Sequence, residues 1–204
     1  EDAIHVEQKL LSESVGVQDQ IMASHGGFQA ITLNKKEPWE TESLNLSDKF
    51  LKNFQEHILL GFSGISRLAD KHAKRKIDNI QKQKTNDELF SILEITREAK
   101  NLFKTEAEID KIAKLLDQSW KIKKRLAHGV SNPIIDNLYE TAINNGALGG
   151  KLMGAGGGGF FFFLAHPKKH EKIKKSLSSI KVWAPFKIDY KGSQVIFRNS
   201  DNGI

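Results

Sequence analysis

The most constraining feature of this sequence is a run of six small residues that leads directly into five bulky apolar ones. The small residues are Gly154, Ala155, Gly156, Gly157, Gly158 and Gly159. The apolar residues that follow, 160–164, have the length of a buried strand, and 148–153 before the glycines also has a strand pattern. The sequence therefore predicts two strands joined by a loop whose backbone other groups can approach closely.

The glycine spacing formally matches the dinucleotide-binding fingerprint G-x-G-x-x-G, with Gly154, Gly156 and Gly159 at its fixed positions. That fingerprint needs a helix directly after the glycines, because the amino end of the helix receives the pyrophosphate. A strand is predicted here instead, which excludes a dinucleotide site of this kind. A Walker A loop is excluded as well, because no lysine followed by serine or threonine comes after the last glycine.

Two interpretations of the glycine loop remain open. With Lys151 ahead of it, the loop can bring backbone N–H groups close to anionic oxygens without interference from side chains. Alternatively, the glycines form a structural turn in which close packing leaves no room for Cβ atoms. Six small residues in succession favour the functional interpretation.

The remaining patterns place strands near both ends of the chain and helices between them. The predicted strands are 28–33, 40–46, 57–62, 148–153, 160–165, 186–190 and 195–198. The predicted helices are 2–13, 19–24, 66–83, 87–102, one that opens at Thr105, one that opens at 131–133, and one over 167–179. This order predicts an α+β fold with helices packed on one face of an antiparallel sheet.

Capping residues and apolar spacing locate the two helices that precede the glycine loop. Thr105 and Glu108 have the spacing of a capping box, and Asn132 followed by Pro133 is typical of a helix start. The inward-facing residues predicted for these helices are Ile109, Ile112, Leu116, Trp120, Ile135, Leu138, Tyr139 and Ala142.

Composition limits the class of protein. The 204 residues carry 31 basic and 25 acidic side chains, a net charge of +6. The absence of cysteine excludes disulfides, thiolate nucleophiles and cysteine zinc sites. No apolar run reaches the roughly 18–20 residues of a membrane-spanning helix, and residues 1–5 do not resemble a signal peptide. We therefore expect a cytoplasmic protein with no membrane partner.

Positive charge gathers in three runs, at 71–76, 121–125 and 168–175. Such runs can bind nucleic acid, but here apolar residues at helical spacing interrupt them and aromatic residues do not alternate with the cations. Solvated helix faces are therefore the favoured interpretation, and no nucleic-acid partner is expected. An anionic small molecule, such as a phosphate, remains a possible partner.

A second chemical signal is an aspartate between two amides, Gln18-Asp19-Gln20, directly after a glycine-containing turn. A rigidly held aspartate can accept the proton of a substrate hydroxyl. The competing interpretation, helix N-capping, is favoured by the residues alone. Glu7 lies twelve residues before Asp19, and a turn between them could bring two carboxylates to one Mg²⁺ site, although a helical glutamate is usually a surface residue.

These pieces together resemble the GHMP small-molecule kinases, a superfamily that includes galactokinase and homoserine, mevalonate and phosphomevalonate kinases. The resemblance rests on Gly16–Gln20, the Gly26-Gly27 pair, the stretch 63–69 and the lysine-led glycine run 150–159, in this order. Within the superfamily, the chain is most similar to sugar kinases of the D-glycero-D-manno-heptose 7-phosphate kinase type. The resemblance implies a ferredoxin-like C-terminal domain of the α+β class.

The resemblance also implies roles for single residues. Asp19 matches the aspartate that acts as base or orients the sugar hydroxyl, and Glu7 matches the glutamate that binds Mg²⁺. Lys151 and Gly154–Gly159 match the motif that packs beside the nucleotide phosphates and the active site. ATP and Mg²⁺ are the cofactors that follow from this assignment.

Substrate-binding residues are implied as well. Gln18 and Gln20 flank the aspartate on the substrate side, and Arg67 matches a contact to the phosphate of the substrate. A surface ion pair is an equally good interpretation of Arg67. The expected reaction transfers the γ-phosphoryl group of ATP to a hydroxyl of a sugar or sugar phosphate, with the anomeric hydroxyl of a heptose 7-phosphate as the first choice.

The sequence departs from the family pattern at its amino end. The proline-led ATP-binding motif of glycines and serines, and an early basic residue, are expected before the Glu7 helix and do not occur. Since an initiator methionine is also absent, we expect the later part of a longer protein, inactive alone and partnered by an N-terminal half in cis or in trans. Residues 1–50 would end the nucleotide-binding domain, and 55–204 would form the C-terminal domain.

Alternatives to a heptose phosphate kinase remain. One is a relative that acts on galactose, fucose or a non-sugar alcohol, and another is a non-catalytic fragment or interaction module. The kinase hypothesis makes one spatial prediction: Asp19 and the glycine loop flank a common cleft.

Overall fold

The computed structural model of the chain describes residues 1–13, 15–34, 39–65 and 85–197, which form two compact units. The first unit contains Glu1–Ser12, Gly16–Asn45 and the described residues from Ile188 onward. The second contains Leu46–Lys187 and the short stretch Glu13–Val15, again in their described residues. The helix predicted at 66–83 lies outside the described residues, and the domain boundary near residue 50 stays a prediction.

The first unit begins with two short helices. Helix α1, Asp2–His5, continues as a π-helical turn over Val6–Leu10, so the helix predicted for 2–13 ends earlier. Ser12 then takes a positive φ of 54°, a left-handed conformation that a turn requires. Helix α2 spans Gln18–His25 and ends at Gly26, whose φ of 66° stops the helix.

A hairpin follows in the first unit, as predicted. Strand β1, Gln29–Thr32, pairs antiparallel with β2, Glu40–Ser43, with Gln29 opposite Ser43. The four-residue strands are shorter than the predicted 28–33 and 40–46.

The predicted hairpin of 186–190 with 195–198 is not formed by the described residues, and residue 198 lies outside them. The backbone there pairs elsewhere: Gly27 N–H donates to Asp189 O at 2.6 Å, and Ser193 N–H donates to Ser24 O at 3.3 Å. A Cβ on Gly26 would lie 2.5 Å from the backbone N of Gly192. The strand-like pattern was therefore overridden by backbone partners at the end of α2.

The second unit is built on one four-stranded antiparallel sheet. Its strands are β3 Ile58–Phe62, β4 Ala147–Leu152, β5 Phe160–Ala165 and β6 Val182–Ala184, in the spatial order β4-β5-β3-β6. Its helices are α3 Asp48–Glu56, α4 Asn86–Lys104, α5 Ile109–Leu126, α6 Pro133–Asn144 and α7 His170–Ser176. In the described residues β3 is followed by α4, α5 and α6, then by β4 and β5, and then by α7 and β6. With these three helices counted as one helical segment and α3 as an addition before β3, this is the β-α-β-β-α-β order of a ferredoxin-like fold, which confirms the predicted class.

Alternation along β5 decides which residues form the core. Phe161 and Phe163 are fully buried, whereas Phe160 and Phe162 point to the other face of the sheet and are partly exposed. The buried face packs with Trp120 and Ile135 in one apolar cluster. Most predicted inward residues of α5 and α6 are buried, the exception being Leu116, which is half-buried while Leu115 takes the core position.

Helix α5 lies very close to β4, and glycine makes this approach possible. A Cβ on Gly149 would lie 2.0 Å from Ala113 O, a distance that no side chain tolerates. The register of β4 on β5 also shifts between Ala147 and Gly149, which is the mark of a β-bulge. Gly149 thus allows α5 to pack directly against β4, the strand that precedes the glycine loop.

Sequence reasoning missed helix α3 at 48–56. Ser47 caps this helix, since its Oγ accepts from Phe50 N–H at 3.2 Å. Phe50 and Phe54 are buried and both meet the edge of Phe103 at the end of α4, with ring centroids 6.2 and 5.3 Å away. The signals were present in the serine cap and the i, i+4 phenylalanine pair.

The predicted capping box at Thr105 and Glu108 is wrong. Glu108 is the N-cap of α5 but makes no side-chain cap bond, and Thr105 Oγ1 donates back to Asn101 O at 2.9 Å. Glu106 instead takes a left-handed φ of 48° and its carboxylate accepts two bonds from Ser47, from N–H at 2.5 Å and from Oγ–H at 2.7 Å. The hydrogen bonds from Ser47 hold the pKa of Glu106 below its ordinary value.

In the described part of the chain, no helix is both long and apolar enough to cross a bilayer.

We expect Glu106→Gln to lower the unfolding temperature at neutral pH and to lose this effect in acid. Because the folded-state pKa of Glu106 is depressed, its stabilising contribution is complete above its unfolded-state pKa and disappears as the pH falls through the folded-state value. The measurement is thermal unfolding of both proteins between pH 7 and pH 3.

Glu108→Gln is the matched control, since Glu108 lies in the same turn and, among the described residues, its carboxylate pairs only with the exposed Lys111 at 3.5 Å. It should leave the melting temperature nearly unchanged at every pH. A pH-independent gap between Glu106→Gln and the unsubstituted protein would contradict the assignment.

Candidate functional site

The glycine loop between β4 and β5 is anchored by backbone hydrogen bonds to two other segments. Gly157 N–H donates to Val130 O and Gly159 N–H donates to Ile65 O, both at 3.0 Å. Ser63 N–H in turn donates to Gly159 O at 2.9 Å. The loop is therefore held between the end of β3 and the turn that precedes α6.

The two interpretations of the glycines apply to different positions of the loop. A Cβ on Gly156 would lie 2.7 Å from Val130 Cα, and a Cβ on Gly158 would lie 2.4 Å from Ile65 O. These two glycines are required by close packing. Around Gly154, by contrast, no atom of the described residues other than Gly154 and its two chain neighbours lies within 4 Å of the Cβ position, although its φ is 70°. The first turn of the loop is open, as the functional interpretation requires.

This open turn presents backbone donors. Within the described residues, the N–H groups of Ala155 and Gly156 donate to no backbone carbonyl, whereas those of Gly157 and Gly159 do. Successive free N–H groups in a glycine turn form a concave site that binds anionic oxygens. The geometry thus suits an anionic ligand at the start of the loop.

A lysine that sequence reasoning placed on a solvated helix face contacts the loop directly. Lys123, in the last turn of α5, donates from Nζ to Gly154 O at 2.6 Å and to Leu152 O at 3.2 Å. Its Nζ also lies 6.0 Å from the centroid of the buried Trp120 ring. The only sequence signal for this contact is a lysine three residues after a core tryptophan, and that signal is weak. The contact itself arises because the tertiary fold brings the end of β4 next to α5.

Lys151 lies on β4, three residues before the loop, opposite Phe162 of β5. It is half-buried. Its position beside the loop agrees with the sequence prediction, and its role stays a prediction.

The other basic residues of the run at 121–125 have acidic partners. Lys121 pairs with Asp117 at 2.7 Å, and Lys124 pairs with Asp136 at 2.9 Å. Arg125 lies 3.5 Å from Glu88. The pair with Asp136 fixes the start of α6, where Ser131 Oγ also donates to Asp136 at 2.9 Å and Asn132 caps the helix as predicted.

Tyr139, on α6, is buried in the apolar cluster of the second unit. Tyr139 Oη donates to Asp117 Oδ1 at 2.5 Å. Burial, followed by the hydrogen bond and the negative charge of Asp117, raises the pKa of Tyr139 well above its ordinary range. The phenol of Tyr139 is therefore a hydrogen-bond donor that ties α6 to Asp117 of α5.

The first unit carries the carboxylates of the predicted site. The side-chain amide of Gln20 donates from Nε2 to Glu7 Oε2, so the turn between the two helices brings Glu7 to α2, while a shared site of Glu7 and Asp19 stays a prediction. Glu7 lies in the π-helical turn Val6–Leu10, a local geometry that often occurs at functional sites. Gln20 Oε1 is buried and has no hydrogen-bond partner among the described residues.

Asp19 does not cap α2, although the residues alone favoured that interpretation. The N-cap is Val17, and no side chain caps the helix. Asp19 is exposed in the first turn, where the positive end of the helix dipole stabilises a carboxylate. Gln18 beside it is also exposed. Asp19 is thus available to an external hydroxyl.

Three further predictions concern the assembly of these parts. Ser63 and Ile65 of the stretch 63–69 lie at the glycine loop, while Arg67 of the same stretch falls outside the described residues. Within the described residues, no group of three or more histidine, aspartate or glutamate side chains gathers as a metal site. The cleft between Asp19 and the glycine loop stays a prediction.

We expect Gly156→Ala to destabilise the protein by about 1–3 kcal/mol more than Gly159→Ala, because the added methyl group must displace the Val130 backbone. The two positions are matched in strain, with φ values of 103° and 108°. They differ in space, since the nearest atom to a Cβ on Gly159 is Met153 O at 3.9 Å. Urea unfolding of both variants measures the difference, and equal losses would show that packing at Val130 is not limiting.

Comparison with known proteins gives relatives among the sugar kinases. A curated D-glycero-alpha-D-manno-heptose 7-phosphate kinase of Campylobacter jejuni is 30% identical over 176 residues, which are 86% of this chain and 51% of the relative. A bifunctional fucokinase/GDP-fucose pyrophosphorylase of Arabidopsis thaliana is 28% identical over 185 residues, 89% of this chain and 17% of the relative. The chain spans about half the length of the first relative and less of the second.

Solved structures share the fold. A D-glycero-D-manno-heptose 1-phosphate kinase from Bacteriodes thetaiotaomicron has a TM-score of 0.67 at 21% identity, covering 91% of this chain and 50% of that one. Lactococcus lactis galactokinase in complex with galactose has a TM-score of 0.61 at 18% identity, covering 84% of this chain and 52% of that one. At such identities the likeness establishes the fold alone.

The family model described as GHMP kinases C terminal matches residues 87–181. That range contains all of α4 but its first residue, and all of α5, α6, α7, the hairpin β4–β5 and the glycine loop. The resemblance inferred from the sequence is confirmed, since residues 87–181 match the C-terminal domain of the GHMP kinases.

Proposed function

We propose that this chain provides the C-terminal domain and part of the catalytic machinery of an ATP-dependent sugar kinase. The observation that carries the proposal is the open first turn of the glycine loop, where Ala155 and Gly156 present N–H groups without backbone acceptors in the described part of the chain. Such donors suit the charge that spreads over phosphoryl oxygens during transfer.

In this proposal Asp19 accepts or orients the proton of the attacking sugar hydroxyl. The hydroxyl oxygen forms a bond to the γ-phosphorus of ATP, the bond from that phosphorus to the β–γ bridging oxygen breaks, and ADP leaves. Exposure of Asp19 in the first turn of α2 supports this role, since a base must reach its substrate. Gln18 and Gln20 would flank the substrate hydroxyl.

This chain would supply only part of the ligands of a Mg²⁺ ion. Mg²⁺ sites in kinases use one or two carboxylates together with substrate phosphates, so Glu7 alone would be an adequate contribution. Its carboxylate is oriented by the Gln20 amide. The ion, when bound, would neutralise phosphate charge. Lys151 and the glycine loop would lie on the phosphate side, and Arg67 would contact a phosphate on the acceptor.

For the acceptor we propose a heptose 7-phosphate phosphorylated at its anomeric hydroxyl. The 30% identity over 86% of this chain to a kinase named for that compound supports the choice. Galactose, fucose and a non-sugar alcohol are the competing acceptors, because a galactokinase and a mevalonate kinase share the fold and a fucokinase shares sequence. Turnover with each acceptor, measured on an enzyme that contains this chain, separates them. A cytoplasmic location stays a prediction.

A non-catalytic binding module is the second candidate. The test is calorimetric titration of ATP into the 204-residue chain, alone and with the half of the Campylobacter relative that this chain does not match. The kinase proposal expects nucleotide binding and phosphoryl transfer in the combined sample. Folded protein that binds no ATP in either sample would favour the binding module.

We expect Asp19→Asn to lower turnover at least about a hundredfold in an enzyme that contains this chain, while ATP affinity stays similar. The change removes the proton acceptor and preserves the shape of the side chain. Turnover is measured under saturating ATP, and affinity by nucleotide titration.

Asp2→Asn is the control, since Asp2 is also exposed in the first turn of a helix of the same unit. It removes the same charge and should leave turnover unchanged. Normal turnover of Asp19→Asn would reject the role of Asp19 as base.

A further inference from the structure

The structure assigns to Lys123 a positioning role: its ammonium group sets the orientation of the Gly154–Ala155 peptide and thereby aims the Ala155 N–H. This inference rests on the proposed function, in which that N–H group serves a phosphate. It concerns a residue that does not itself touch the reacting atoms. The observation behind it is the pair of bonds from Lys123 Nζ to Gly154 O at 2.6 Å and to Leu152 O at 3.2 Å.

The argument begins with the geometry of one peptide plane. No cis peptide bond occurs in the described residues, and in a trans peptide the C=O and N–H groups point in opposite directions. Since Gly154 O is drawn toward Lys123 on α5, the N–H of Ala155 must point away from α5. The lysine thus determines the direction of a donor with which it makes no contact.

The peptide needs such a constraint because little else fixes it. Gly154 has no side chain, and apart from Gly154 and its two chain neighbours no atom of the described residues lies within 4 Å of its Cβ position. A glycine at a φ of 70° can exchange with other backbone conformations at little steric cost. Further along the loop, Gly156 and Gly158 are confined by Val130 and Ile65, so the freedom is concentrated at the first turn.

Lys123 is itself well held, as a positioning group must be. It lies in the last turn of α5, where the helix dipole favours a cation. Its Nζ lies 6.0 Å from the ring centroid of Trp120, which is fully buried. Helix α5 is fixed on β4 by the contact of Ala113 with Gly149. The charge therefore has a rigid support on the same sheet that carries the loop.

The test compares the backbone amides of the loop in Lys123→Met, Lys123→Arg and the control Lys114→Met. Lys114 is exposed on the same helix, so its replacement removes one positive charge without touching the loop. In ¹⁵N-labelled full chain without ligand, Lys123→Met should shift the amide signals of residues 154–156 and leave those of β5 and α6 unchanged. Lys123→Arg, which also donates to carbonyls, should restore most of the original shifts.

The second readout is affinity for inorganic tripolyphosphate, followed by the same amide signals. Lys123→Met should weaken binding by about tenfold, the loss expected for one misdirected charge-assisted hydrogen bond. Lys123→Arg should recover most of the affinity, and Lys114→Met should match the unsubstituted chain. In a complete kinase, Lys123→Met should lower kcat more than it raises the KM for ATP.

The outcomes distinguish this inference from the function on which it rests. Unchanged loop amides in Lys123→Met would overturn the positioning role, and so would shifts spread over the whole second unit with a large loss of stability. If tripolyphosphate fails to perturb the loop in the unsubstituted chain, the phosphate role of the loop fails, while the ligand-free shifts still decide the role of Lys123.

Discussion

The close approach of three backbone segments at the glycine loop is the constraint on which the rest of the second unit depends. Val130 O and Ile65 O each accept an N–H from the loop, and two missing Cβ atoms at Gly156 and Gly158 make room for those carbonyls. The end of β3, the turn before α6 and the β4–β5 hairpin thus meet without side chains between them. A larger residue at Gly156 or Gly158 would force these segments apart.

A glycine also allows close backbone contact where α5 crosses β4. Gly149 admits the backbone of Ala113, and this contact places the last turn of α5 beside the start of the loop. A cation in that turn can then bind loop carbonyls, as Lys123 does. The packing of α5 on β4 and the presentation of backbone donors at the loop therefore both depend on glycines, at 149 in β4 and at 154, 156 and 158 in the loop.

The first unit organises its carboxylates differently. A π-helical turn carries Glu7, a left-handed Ser12 reverses the chain, and the Gln20 amide reaches the Glu7 carboxylate. Asp19 is exposed in the first turn of α2 and does not cap the helix. The two helices are joined by this side-chain hydrogen bond, whereas glycine packing acts at the end of α2, where Gly26 admits the backbone of Gly192.

Local patterns were sufficient for much of the fold. The apolar run of β5, the Asn132-Pro133 start of α6 and the inward face of that helix were all readable because they depend on spacing within one element. Three features were not predicted. They are helix α3, the contact between Glu106 and Ser47, and the pairing of the C-terminal segment with the end of α2 in place of the expected hairpin. In the latter two, a partner distant in sequence supplied hydrogen bonds that local propensity could not anticipate.

The sequence by itself determined the class of fold, the GHMP resemblance and the positions of Glu7, Asp19 and the glycine loop, because motifs and periodicity are local properties. Only the tertiary structure decided which glycines are packed and which are open, and which lysine of a basic run binds the loop. Those distinctions depend on contacts between chain segments that are far apart in sequence. Such contacts exist only in the folded chain, so local sequence patterns do not predict them.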